Sequence, residues 1–241
     1  MATGPHQRAP LKLGILEAGA PPPRLAVAFD RYAGMVATLL GPDVAPRAYD
    51  VRQGEWPATP LECGAWLVTG SSAGVYDPLP WIPTLEAFMR EAAGRRPMVG
   101  ICFGHQLMAQ AFGGAAAKSP KGWGIGLHRY RIDDAPGWID DAADVRLPVS
   151  HQDQVTAVPD DARVVGGSAF TPYGIVAYPS RRAMSIQAHP EFEPRYARAL
   201  IEHRRGDRFD AATADAAIAS LYGEDDRPRV GGWLRRFLRE A

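Results

Sequence analysis

Between Pro97 and Gly114 the chain changes its periodicity at a single corner. Pro97-Met98-Val99-Gly100-Ile101 is a short apolar run with the make-up of a buried strand. Gln106-Leu107-Met108-Ala109-Gln110-Ala111-Phe112 reads as a helix stopped by Gly113-Gly114. The link is Gly100-Ile101-Cys102-Phe103-Gly104-His105-Gln106, a glycine-flanked turn. A residue on so sharp a strand-to-helix corner is held out at the end of a sheet, with the helix amides aimed near it. The same alternation recurs upstream. Leu11–Leu16, Pro46–Val51 and Ala65–Thr69 read as strands, and about Phe29–Leu40 and Pro80–Ala93 as helices. Strands alternating with helices predict a parallel sheet covered on both faces.

The second half changes character. Gly122–Ile132 is glycine-punctuated and partly alternating, as in antiparallel strands. Val155–Val158, Ala162–Val165, Gly174–Ala177 and Ala183–Ala188 are further short strands between turn residues. After Glu193 the chain returns to helix and closes on a short basic amphipathic segment, Trp233–Glu240. No repeat or low-complexity linker forces a boundary. The expected organisation is one domain over residues 11–205, with a helical extension, 206–241, packed on it. Lys plus Arg and Asp plus Glu both number 27, so the formal net charge is zero. That argues against nucleic-acid and anionic-membrane partners. Two cysteines, Cys63 and Cys102, make no disulfide framework. Met1–Pro10 lacks a signal-peptide core, and no apolar run spans a bilayer, so the expected compartment is the cytoplasm.

The corner gives Cys102 two readings. It is either a buried structural thiol or a nucleophile, since a thiolate is the reactive form and is stabilised at a helix N-terminus. A nucleophile needs a base, an orienting group and an oxyanion site. His6 lies in the terminus, His203 in a charged helical stretch, His105 in the first turn after Cys102 pointing away from a pocket, and His128 among polar neighbours. His189 differs because Pro190 and Glu191 follow it. Proline biases His189 to extended backbone, which would project His189 and Glu191 to the same side. A carboxylate beside an imidazole fixes its tautomer and stabilises its charge. Taken alone, this is equally a surface turn with an incidental ion pair; beside the Cys102 corner, the catalytic reading leads. Oxyanion donors would be the Phe103 amide and an amide of Gly70-Ser71, at the end of the neighbouring strand. Without a Gly-Lys-Ser/Thr ending, the Thr69–Gly74 loop has no phosphate-loop signature. Ser150-His151-Gln152-Asp153 is a polar knot that alone means little, and His151 has no partner at metal-ligand spacing. Lys118–Trp123 reads as a surface turn.

The three blocks together resemble class I (triad) glutamine amidotransferase domains. These are Gly100–Gln106, Ser150–Asp153 and His189–Glu191, in that order, with the resemblance spanning roughly Leu11–Arg205. The Gly70–Asp77 loop and the Gly122–Gly124 turn resemble the free-standing branch related to the glutaminase domain of GMP synthase and to γ-glutamyl peptidases. The resemblance implies a flavodoxin-like three-layer α/β sandwich with a mostly parallel central sheet plus antiparallel strands in the second half. It implies attack by Cys102 on a γ-glutamyl amide to form a thioester, proton transfer by His189, and orientation by Glu191. Gln106 would be a substrate-pocket residue, and Ser150 and His151 would line the site for the substrate's amino-acid end. No cofactor or metal is implied. The leaving group stays open between ammonia, passed to a separate synthetase subunit, and a larger amine. A non-catalytic binding or regulatory subunit and a cysteine-dependent stress protein are the rivals. Gly70-Ser71-Ser72 stands where Gly-Gly-Pro is common, which leaves the second oxyanion donor less defined.

Overall fold

A computed structural model describes residues 9–241; His6 lies outside them. In chain order the elements are β1 (Leu11–Glu17), α1 (Tyr32–Leu40), β2 (Val44–Asp50), β3 (Ala65–Val68), α2 (Trp81–Ala92), β4 (Met98–Ile101), α3 (Phe103–Ala111) and β5 (Ala115–Lys118). They continue as β6 (Gly124–Ile132), β7 (Asp144–His151), β8 (Asp153–Ala157), β9 (Arg163–Gly167), β10 (Ile175–Tyr178), β11 (Ala183–Ile186), α4 (Pro194–Arg204), α5 (Ala211–Ser220) and α6 (Arg227–Glu240).

Among the described residues, nine strands form one sheet in the order β2-β1-β3-β4-β11-β10-β9-β6-β7, and β5 pairs with β8 separately. β2, β1, β3, β4 and β11 run parallel. From β10 outward each neighbour is antiparallel. This is the expected α/β architecture with antiparallel strands in its second half. Alternation along the strands divides the core. Leu13, Ile15, Leu67, Val99 and Ile101 face α1 and α6, meeting Val36, Leu40 and Trp233. Leu16, Trp66, Val68 and Met98 face α2 and α3, meeting Leu85, Met89 and Leu107. A third cluster, including Ile125, Tyr196, Leu200 and Ile218, seats α4 and α5 on β6.

Three boundaries differ from expectation. Helix α1 starts at Tyr32 rather than near Phe29, because the Glu17 carboxylate at the end of β1 accepts from the Ala33 amide at 2.8 Å. That tertiary cap fixes the helix start. β7 replaces the expected polar knot at Ser150-His151, which ends the strand. Val145, Leu147 and Val149 alternate with Arg146, Pro148 and Ser150 and enter the core, but Pro148 counts against a strand in the sequence. Pro148 is tolerated because β7 is an edge, and that edge is covered where Asp226 bonds both the amide and the carbonyl of Arg146. Helix α6 is longer than Trp233–Glu240, with Pro228 in its first turn. Its Arg235 donates to the Leu39 and Leu40 carbonyls, which lack helical partners at the end of α1.

The strand order also brings three strand ends together. β4 lies between β3 and β11, with Val68 opposite Gly100 and Ile186 opposite Ile101. The carboxyl ends of the three strands therefore coincide, so Thr69-Gly70, Cys102 and Gln187–His189 emerge side by side. No helix among the described residues is long and apolar enough to cross a membrane.

Candidate functional site

Cys102 caps the N-terminus of α3 with φ 51° and ψ −101°. Positive φ is rare outside glycine and stores strain on the order of 1–3 kcal/mol, sustained only where the surroundings over-determine it. Here the Cys102 amide donates to the Ile186 carbonyl at 2.9 Å, and its carbonyl accepts from Gln106 at 3.0 Å. The helix then passes so close to β3 that a Cβ on Gly104 would sit 2.4 Å from the Val68 carbonyl oxygen. The thiol is nearly buried but lines a cavity of about 240 Å³.

His189 reaches this corner from β11. Its Nδ1 is 2.8 Å from Glu191 Oε1, and both side chains are buried. The pair does not arise from extended backbone, as the sequence suggested. The Phe192 amide donates to the His189 carbonyl at 3.1 Å, closing a turn with Pro190 in the position that suits its fixed φ. Phe192 then stacks on the imidazole, centroids 3.9 Å apart and planes 4° apart. Tyr32 and Tyr196 pack behind Phe192. Burial opposes charge on His189, but Cys102 and Glu191 outweigh it and hold the pKa well above the ordinary imidazole range.

Gly70 lies against both residues. A Cβ there would be 2.9 Å from His189 Cε1 and 3.6 Å from Cys102 Cβ. The following loop is tied down. Ser71 Oγ accepts from the Ala73 amide at 3.1 Å, Asp77 Oδ2 accepts from the Gly74 amide at 2.9 Å, and Tyr76 Oη donates to Asp153 Oδ2 at 2.8 Å. The last bond joins the β3–α2 loop to the β7–β8 turn. Phe103, the other expected oxyanion residue, is the first of α3, where amides lack helical acceptors.

Gln106, Ser150 and His151 also line the cavity. Gln106 Nε2 donates to the Asp153 carbonyl at 2.8 Å and to Gln187 Oε1 at 3.1 Å, so it braces α3 against the cavity floor. Ser150 Oγ accepts from Arg204 Nη1 at 2.7 Å. His151 Nδ1 meets the Asp153 carbonyl at 3.1 Å, while its buried Nε2 has no partner among the described residues. Burial, then the neighbouring His189, pushes the His151 pKa down to about 3, so this ring is neutral. His105 is wholly buried on Ser185 Oγ at 2.7 Å, away from the cavity, and burial pushes it down to about 3 as well.

The sequence reading missed four residues. Tyr76 and Trp123 wall the cavity, as does Arg204 from the end of α4. Phe192 buttresses His189. Phe192 carried a local signal, an apolar residue directly after His-Pro-Glu; Arg204 carried none, because its neighbours Glu202 and Arg205 mark a solvated helix face. Among the described residues no cluster of three His, Cys, Asp or Glu side chains could hold a metal ion.

Residues 71–204 match the family model described as glutamine amidotransferase class-I. A glutamine amidotransferase-like protein of Schizosaccharomyces pombe is 27% identical over 245 residues, covering 95% of this chain and 98% of its own length. A glutamine-hydrolysing GMP synthase of Parafrankia is 38% identical over 129 residues, covering 53% of this chain but 23% of the synthase. The crystal structure of a glutamine amidotransferase from Thermotoga maritima superposes with a TM-score of 0.72 at 19% identity, covering 95% of this chain and 99% of that one. At that identity the likeness concerns the fold.

Proposed function

Because the chain belongs to the class-I glutamine amidotransferase family, we propose that it cleaves a γ-glutamyl amide through a thioester on Cys102. The observation that carries this reading is a base–carboxylate pair, His189 and Glu191, buried against a strained cysteine that opens into a cavity. The Cys102 thiolate would attack the δ-carbonyl carbon, and the C–N bond would break as the imidazolium of His189 gives its proton to the departing amine. Water would then add to the thioester, losing its proton to His189, and glutamate would leave as the C–S bond breaks. Glu191 keeps Nδ1 occupied, which leaves Nε2 for proton transfer and stabilises the imidazolium. The Phe103 amide and an amide of Gly70-Ser71 would hold the oxyanion. Gln106, Ser150 and His151 would frame the substrate. A non-catalytic module would have no use for this set.

Glutamine is the substrate we favour, with ammonia released to a separate synthetase subunit. A second reading, hydrolysis of a γ-glutamyl peptide, draws on the cavity wall. Apart from Arg204, Lys118 and Arg208 line it, and the carboxylate of a departing amino acid would meet these two cations, whereas ammonia would not. A substrate panel decides. Glutamine, γ-glutamyl amino acids and γ-glutamyl amines would be offered, with glutamate and the released amine measured. Turnover confined to glutamine supports the amidotransferase, and preference for γ-glutamyl amino acids the peptidase. Undiminished glutamate release by folded Cys102→Ala would overturn the mechanism.

A further inference from the structure

Arg204 differs from the other arginines around it. Arg205 is held by Glu202 and Asp215, and Arg208 by Asp207. Among the described residues no carboxylate lies within ion-pair distance of Arg204. Its guanidinium is half-buried, lies over the Trp123 ring 5.4 Å from the centroid, and donates from Nη1 to Ser150 Oγ. A guanidinium carries five N–H donors and stays charged even where burial opposes it. One structural bond and one aromatic face fix its direction and leave most of that capacity unspent.

The cavity does not supply the missing counter-charge. Of its two acidic residues, neither pairs with Arg204: Asp77 accepts from the Gly74 amide and Asp153 from the Tyr76 hydroxyl. A half-buried cation fixed in place with no counter-charge in contact is completed by an anionic ligand. The ligand that matches a fixed guanidinium fork is a carboxylate, taken by two parallel hydrogen bonds. Cys102 lines the same cavity, so the anion must share a molecule, or a pocket, with the group the thiolate attacks.

We infer that Arg204 is the anion anchor of this cavity and takes the α-carboxylate of the γ-glutamyl substrate, with Ser150 and Trp123 holding the guanidinium in position. The choice of α-carboxylate rests on the γ-glutamyl reading above; the anion anchor does not. A γ-glutamyl group carries its α-carboxylate at the far end of a short chain from the reacting carbonyl. Arg204 would thus select for an amino-acid end and set the reach to Cys102.

The test compares wild type with Arg204→Met and Arg204→Lys in two assays. In the first, Cys102 is alkylated with 5-chloro-4-oxopentanoate or with its amide, whose end group lies as many bonds from the attacked carbon as the α-carboxylate of glutamine does. The thiolate forms a C–S bond and chloride leaves in both cases, but only the first reagent carries a carboxylate. The rate ratio of the carboxylate to the amide should fall roughly 10–150-fold in Arg204→Met, the span expected for hydrogen bonds to a charged group. Arg204→Lys, which keeps the charge but loses the fork, should fall between. In the second, glutamine is compared with 4-aminobutanamide, which lacks the α-carboxylate. The preference in kcat/KM for glutamine should collapse by a similar factor, chiefly through KM. A structural role would slow both reagents and both amides equally, so unchanged ratios overturn the inference even if absolute rates drop. If wild type hydrolyses neither of these amides nor any γ-glutamyl amino acid or amine, the γ-glutamyl reading fails, and the alkylation ratio still decides whether Arg204 anchors an anion. Should Arg204→Met not fold, the graded ratio in Arg204→Lys carries the same decision.

Discussion

Gly70→Ala adds one methyl group to the place where two candidate catalytic residues meet. Gly70 has no positive φ, so alanine meets no backbone penalty there and the whole effect is steric. The new Cβ would stand 2.9 Å from His189 Cε1, 3.7 Å from Nδ1 and 3.6 Å from Cys102 Cβ. A contact of 2.9 Å is shorter than such atoms tolerate, so the imidazole must retreat by roughly half an ångström to reach ordinary packing distance. It has nowhere soft to go. Phe192 lies flat against one face at 3.9 Å, and Glu191 holds Nδ1 at 2.8 Å. A displacement of 1 Å in a reacting group costs about 100-fold, so half of that should cost roughly 10-fold in kcat/KM on glutamine. Overpacking should lower stability by about 1–3 kcal/mol, or about 2–12 °C in Tm for a chain of this size. Steady-state glutamate release and thermal unfolding measure the two effects. Full activity in Gly70→Ala would refute the claim that His189 is clamped. So would a loss confined to temperatures at which the variant unfolds.

Four further outcomes follow from the same geometry. Glu191→Gln keeps the shape but removes the charge that orients His189, and should lower kcat about 10²–10⁴-fold; near-normal turnover would remove Glu191 from the mechanism. Tyr76→Phe cuts the 2.8 Å bond to Asp153 and should raise KM a few-fold, about 2–10-fold, with little change in Tm; an unaltered KM would mean that the loop-to-turn link does not shape the cavity. Trp233→Ala empties a wholly buried site between α6 and the sheet and should cost about 3–5 kcal/mol. A variant as stable as wild type would contradict the proposal that residues 206–241 pack as an extension of the 11–205 domain. Acid should also destabilise the fold through His105 and His151. Both are held neutral down to about 3, whereas an unfolded histidine takes up its proton near 6.5. The unfolded chain thus binds more protons between those values. Stability is complete above about 6.5 and falls with pH by about 1.4 kcal/mol per unit for each ring. Denaturant titrations across that range should show the slope, and His105→Gln should reduce it; the same slope in that variant would exclude His105 as its source.

Local rules made the Cys102 corner readable, because the switch from strand to helix and the flanking glycines leave few ways to build Gly100–Gln106. They also made the His189–Glu191 pair readable, although for an imperfect reason. Extended backbone was expected, and a proline turn closed by Phe192 brings the two together. The β7 strand was hidden by Pro148, although Val145, Leu147 and Val149 alternate, because a proline is acceptable only at an edge, here one that Asp226 covers. The start of α1 was misplaced for a related reason, since its cap comes from Glu17 on another element.

By itself, then, the sequence determined the parallel half of the sheet, the sharp corner that holds Cys102, and the short-range pairing of His189 with Glu191. Each depends on periodicity, chirality or the covalent reach of a few residues. Only the tertiary structure decided that β11 inserts beside β4 rather than at an edge, and so that His189 meets Cys102. It alone placed Gly70 within a methyl group's width of both. It also swung α4 so that an unremarkable helix-terminal arginine, Arg204, faces the cavity across Trp123 and Ser150. These are contacts between segments far apart in the chain, fixed by strand order and the burial of whole faces, and no local pattern encodes them.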